Sequence, residues 1–185
     1  SIIPELFLNS LKSLPIPRLM HWGDKRDEFV RPVHTLCVLF GNELIDCTIL
    51  GIKSSKILNG HRFLGQQKVT VESLKNQGYV IADYEERKAS IIKQVKAIAD
   101  ANNGVADLDD ALVEEVTSIV EAPHIFQAKF EERFLKVPSE ALVYTMKGDQ
   151  KYFPIYDKHG KLLPVFAFAS NINPANATSL ISGNE

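Results

Sequence analysis

Tyr152-Phe153-Pro154-Ile155-Tyr156-Asp157-Lys158-His159-Gly160-Lys161-Leu162-Leu163-Pro164-Val165-Phe166-Ala167-Phe168-Ala169 is the most telling run in the chain. Two apolar, aromatic-rich segments, 152–156 and 162–169, flank a polar stretch that offers Gly160 for positive φ, which predicts a β-hairpin. Pro154 and Pro164 cannot donate to a ladder, so edge positions or bulges are expected there. Upstream, Asp83 followed three residues later by Glu86 predicts a capped helix over 84–102, with Ile91, Val95, Ile98 and Ala99 as its buried stripe. Asn102-Asn103-Gly104 is a good stop. A second helix, 110–121, puts Leu112, Val113, Val116, Ile119 and Val120 on one face, with acids at its start and Pro123 past its end. Residues 125–130 read as a strand, and Pro138-Ser139-Glu140 opens a third helix through about Lys147.

The first part of the chain is less regular. Pro4 and the Phe7, Leu11, Leu14 stripe predict a short helix over 4–14, stopped by Pro15-Ile16-Pro17. Two apolar strands, 33–40 and 43–50, joined through Gly41-Asn42, read as a central, well-covered hairpin that pairs Phe40 with Glu43. That register sends Cys37 and Cys47 to opposite faces, so no disulfide is expected and the chain reads as cytoplasmic. Residues 51–77 read as a long functional loop with a short helix near 71–76, and 79–82 as a brief strand. Strands and helices mix without regular βαβ alternation. The expected fold is therefore α+β, a mixed or antiparallel sheet whose central hairpins are packed by several helices. Residues 1–172 form the core, with two subdomains dividing near 77–84 as an option, and 173–185 read as a linker or the start of a next region.

Composition narrows the function. The 185 residues are 45% hydrophobic and 24% charged, which fits an ordinary globular chain with enough length to bury a core. A start at Ser1 without a signal-peptide pattern and a polar finish fit a piece of a longer chain, and no apolar run reaches the roughly 20 residues of a membrane helix. The net charge of -2 excludes a general nucleic-acid coat, but the charge is uneven. Residues 1–80 hold 10 basic and 7 acidic side chains, residues 81–135 hold 6 and 12, and residues 136–185 hold 5 and 4. No acid lies between Cys47 and Glu72, where Lys53, Lys56, Arg62 and Lys68 accompany His61. A polyanion would meet the early and late segments; ordinary solvated faces are the alternative. No phosphate-cradling, dinucleotide, nucleophile-elbow or HExxH motif is present, and the two cysteines lack the second pair of a zinc site. His34 falls on an expected buried strand, where a hydrogen-bonded core histidine is the simple reading.

Longer strings say more. Leu14-Pro15-Ile16-Pro17-Arg18, Met20-His21-Trp22-Gly23-Asp24, Glu28-Phe29-Val30-Arg31-Pro32-Val33-His34, Gly60-His61-Arg62-Phe63-Leu64 and Asp83-Tyr84-Glu85-Glu86-Arg87 come first. Glu115-Val116-Thr117, Val120-Glu121, Pro123, Val137-Pro138, Thr145-Met146, Gln150-Lys151-Tyr152-Phe153-Pro154 and Ser170-Asn171-Ile172 follow in order. Together they resemble an N-terminal portion of the β subunit of the bacterial tetrameric (α2β2) glycyl-tRNA synthetase. Thr35 and Asp149 depart from that pattern, where Trp and His are common. Asp149 would oppose phosphate near the 147–152 segment.

The resemblance implies a division of labour. In that family the α subunit binds ATP and magnesium and forms glycyl-adenylate, while the β subunit supplies most of the tRNA recognition. This fragment is then expected to hold no catalytic residue, metal or cofactor of its own, with the α subunit and tRNA(Gly) as partners and no membrane. Lys53, Lys56, His61, Arg62 and Lys68 are candidate phosphate donors, Arg18, Lys147 and Lys151 secondary ones, and Tyr152 a base-stacking candidate. Ion pairing of Arg62 with Glu85 or Glu86, and a hairpin-core place for Tyr152, are the structural alternatives. Pro17, Met20 and Trp22 are candidates for docking the α subunit or other β regions. An editing-like deacylase would need His34 or His61 as base, and neither has a nucleophile beside it in sequence.

Overall fold

The computed structural model describes residues 2–24, 26–173 and 177–184. The chain divides into two units, Ser1–Tyr79 and Val80–Glu185. The first begins with α1 (Ile3–Ser13), which has Pro4 in its first turn and ends at Leu14, where the backbone turns extended ahead of Pro15. No residue of α1 is buried. Three antiparallel two-residue pairs follow. β1 (Met20–His21) pairs with β2 (Glu28–Phe29), β3 (Leu39–Phe40) with β4 (Glu43–Leu44), and β5 (Thr48–Ile49) with β6 (Ile52–Lys53).

The expected central hairpin over 33–50 is thus corrected. Its turn and register are as read, Phe40 opposite Glu43 with Gly41 at φ 61°, but the ladder stops after two pairs. Leu50 and Gly51 both sit at positive φ, so the chain folds back a second time and β5 pairs with β6 instead of extending β4. Ser54 fills the gap, its hydroxyl donating to the Ile45 carbonyl at 2.7 Å and accepting from the Cys47 amide at 3.0 Å. Only Val38 and Ile49 of this stretch are buried, Phe40 is 67% exposed, and His34 is exposed instead of lying in a core. Both cysteines are free and half-buried, and burial pushes the Cys37 thiol up. Residues 71–78 are successive turns with no helix, and 79–82 form no strand, with Tyr79 at φ 53°.

The second unit follows its sequence closely. It contains α2 (Tyr84–Ala101), β7 (Val105–Ala106), α3 (Asp110–Ile119), β8 (His124–Lys129), a 3-10 helix (Glu132–Lys136), α4 (Ser139–Gly148), β9 (Phe153–Tyr156), β10 (Leu162–Ser170) and α5 (Thr178–Ser182). Asp83 caps α2 by accepting from the Glu86 amide at 2.8 Å, and Asp109 caps α3 by accepting from the Leu112 amide at 3.2 Å. The sheet order is β7-β9-β10-β8, antiparallel throughout, so the 152–169 hairpin supplies its two central strands.

Alternation along those strands builds two cores. Phe153 and Ala167 pack on Ile91 and Val95 of α2 and on Leu112, Val113 and Val116 of α3. Ile155 and Val165 continue that face against Ala99. Phe166 and Phe168 point the other way, onto Ala128, Met146 of α4 and the half-buried Tyr152, Leu180 and Ile181. Each buried ring contributes about 1.5–3 kcal/mol. The tail read as a linker or next region therefore carries α5, packed on the second core; residues 174–176 lie outside the described residues.

The prolines correct a second expectation. Pro164 lies in the irregularity between the Leu162 and Phe166 pairs, as a bulge requires. Pro154, however, is buried in a central strand. Its carbonyl accepts from the Asp107 amide just past the end of the two-residue β7. Its missing amide faces that same side, so little ladder is lost.

Candidate nucleic-acid interface

The acid-free stretch of the first unit folds into a turn cross-braced through its backbone. Leu58 and Val69 exchange hydrogen bonds at 2.7 and 2.9 Å, the His61 amide donates to the Gly78 carbonyl at 2.6 Å, and the Gln66 amide to the Gln77 carbonyl at 2.8 Å. Glycine is required at this crossing: a Cβ on Gly60 would lie 2.8 Å from the Gly78 Cα, and one on Gly65 would lie 2.1 Å from the Gly78 oxygen. His61 is only 2% exposed, and its Nδ1 accepts from the amides of Phe63 and Leu64 at 3.2 and 3.1 Å. Gln67 adds a bond from Nε2 to the Arg62 carbonyl at 3.1 Å. The turn so held pushes Arg62 and Phe63 outward. Phe63 is 72% exposed, and the Arg62 guanidinium carbon lies over its ring at 5.4 Å from the centroid.

The other expected donors of the first unit are exposed side chains with weak or no engagement. Lys53 reaches Asp46 at 3.6 Å with both groups in solvent, and Lys56 donates to the Asn42 carbonyl at 2.8 Å. Arg18, Arg62 and Lys68 form no ion pair among the described residues. His61 changes role: its side chain is buried and clamps the turn, so it is not an exposed phosphate donor.

In the second unit the expected cations are engaged internally. Lys147 bridges Asp107 and Asp109 at 3.0 and 3.1 Å. Burial alone would lower its pKa, but the two carboxylates outweigh that and hold it above the ordinary lysine value. Lys151, at φ 59°, pairs with Glu115 at 3.0 Å and donates to the Gly148 carbonyl. Tyr152 stacks on Phe166 with centroids 4.4 Å apart, its hydroxyl bonded to Asn184 Oδ1 at 2.7 Å, and burial raises its pKa. It lines an aromatic cavity of about 350 Å³ with Phe130, Phe134, Met146 and Phe166 and belongs to the core. These three leave the set of exposed contact residues.

Of the docking candidates, Pro17 and the 44% exposed Met20 are accessible, and Trp22 is half-buried. Of the editing candidates, His34 is exposed, and the Nδ1 of His61 is taken up by the amides of Phe63 and Leu64. No cluster of three His, Cys, Asp or Glu side chains suited to a metal exists among the described residues. No helix among them is long and apolar enough to cross a membrane. Phe63 is the residue that sequence reasoning passed over. It stands inside a resembling string, yet an aromatic between Arg and Leu looks like core until its exposure is known.

Comparison with known proteins places this α+β chain among the subunits of aminoacyl-tRNA synthetases, which are ligases. It belongs to the glycyl-tRNA synthetase beta subunit family, which it matches over residues 1–185. It is 54% identical over 192 residues to the glycine–tRNA ligase beta subunit of Actinobacillus pleuropneumoniae serotype 5b, and 55% identical to that of Mannheimia succiniciproducens. The Haemophilus influenzae counterpart is 54% identical. In each case all of this chain is covered but only 28% of the relative, and the match is to the relatives' N-terminal part.

Proposed function

We propose that this chain is a non-catalytic part of a glycine–tRNA ligase, and that its first unit contributes to recognition of tRNA(Gly). ATP and magnesium would be bound by the α subunit. One observation carries the reading: the acid-free stretch leaves Arg62 and Lys68 exposed and without ion-pair partners among the described residues, whereas Lys147 and Lys151 are neutralised internally. Unpaired cations release condensed counterions when they meet phosphate, and paired ones do not. The test is tRNA(Gly) binding to the reconstituted α2β2 enzyme over a salt series. Replacing Arg62 and Lys68 together with Ala should shrink the salt slope by about 1.5, and an unchanged slope removes them from the interface.

A second reading has its own support. α1 buries nothing and exposes Leu6 at 55% and Phe7 at 40%, beside Leu14, Leu19 and Met20, all more than 40% exposed. Such a surface suits docking of the α subunit or of other β regions. It becomes the leading reading if the charge variants leave the salt slope unchanged.

A further inference from the structure

We propose that Phe63 is a stacking platform for an unpaired tRNA base, with the Arg62 guanidinium on the opposite face of the ring. The inference deepens the tRNA-binding reading of the first unit and rests on it. An apolar ring 72% exposed at the tip of a turn meets water at a cost that folding does not require. The turn is not loose. His61 Nδ1 holds the Phe63 amide itself at 3.2 Å, and the Gly60 and Gly65 crossings against Gly78 fix the backbone on both sides. A platform already ordered loses little conformational freedom when a base lands on it.

The surroundings favour RNA over a protein partner. Asn59, Arg62, Gln66, Gln67 and Lys68 are exposed around Phe63 in sequence, all uncharged or cationic and able to donate hydrogen bonds. An interface hot spot sits instead at the centre of a desolvated patch. Arg62 sits over the ring at 5.4 Å and the His61 ring stands tilted beside it at 6.3 Å, so a base landing on the exposed part of Phe63 completes an Arg–Phe–base stack, the arrangement by which proteins grip splayed bases without reading a duplex.

The experiment uses the full-length β subunit reconstituted with the α subunit, and binding of unmodified tRNA(Gly) transcript. Phe63→Ala should weaken binding about five- to 150-fold, the range that stacking on one base is worth. The salt slope should stay unchanged, because stacking releases no counterions. Phe63→Trp should keep or improve affinity, and Phe63→Leu should behave like Ala. Affinity kept by both Ala and Leu overturns the proposal. So does Leu rescuing Ala, or Phe63→Ala dissociating the tetramer in sedimentation, each of which marks an ordinary apolar contact. If the Arg62 and Lys68 variants change the salt slope while Phe63→Ala changes nothing, the platform fails and tRNA recognition by the first unit stands. If none of them has an effect, both fail.

Discussion

Gly65→Ala isolates the brace beneath the exposed turn. The substitution adds one methyl group, and no positive φ at this position penalises alanine, so the consequence is steric alone. The new Cβ would sit 2.1 Å from the Gly78 oxygen and 2.5 Å from its carbonyl carbon, both backbone atoms, where ordinary contact begins at 3.4 Å. The 60–66 and 77–78 segments must then separate by about 1 Å. That lengthens the bonds from Gln66 to Gln77 and from His61 to Gly78, now 2.8 and 2.6 Å. Two such bonds are worth about 1–3 kcal/mol together. The stiffer unfolded chain returns about 0.4–1 kcal/mol, leaving a net loss of about 1–2 kcal/mol. Trp22 is the only tryptophan and lies in the same unit, so its fluorescence in a urea titration reports this unit. The midpoint should fall by about 0.5–1 M at the urea slope of a small unit. A midpoint equal to the parent's would show that the backbone crossing is not tight and that the turn is not held as described.

Two further outcomes test the second unit. Lys147→Ala should lower its thermal midpoint, because Asp107 and Asp109 lose their shared counterion, yet leave the affinity and salt slope for tRNA(Gly) unchanged. Loss of affinity in the folded enzyme would return Lys147 to the interface. Acid should also weaken this unit. Hydrogen bonding from Lys147 holds Asp109 below its ordinary value of 3.8, and the Lys161 amide, followed by that of His159, does the same for Asp157. Carboxyls depressed in the folded state stabilise it fully above their unfolded pKa. Circular dichroism should therefore show no change from these groups between about pH 5 and 7 and a declining midpoint below about pH 4; a midpoint flat into that acid range would refute the assignment.

The second unit was largely legible in the sequence because its signals are local. The cap at Asp83, the acids at the start of the second helix, the stripe of Ile91 and Val95, and the Gly160 turn each act within a few residues, and each reappears in the structure. β7 was not legible, since a two-residue strand has no period. The first unit misled for a similar reason. Its apolar run over 33–50 looks like two long strands, but Leu50, a residue that seldom adopts positive φ, joins Gly51 in a second reversal. Ser54 then closes the pairing from outside the run.

The residues alone determined the family, the α+β class and the charge imbalance that leaves 48–71 without an acid. They could not tell a free cation from a spent one. Lys147 and Asp107 lie 40 positions apart and meet only once α4 packs on the sheet, and Tyr152 is committed to Phe166 by the same packing. Composition conserves the number of charges and rings, whereas their partners are fixed by distances that fall off steeply in space and have no counterpart along the chain. Folding therefore removed Lys147, Lys151 and Tyr152 from the surface repertoire and put Phe63 into it.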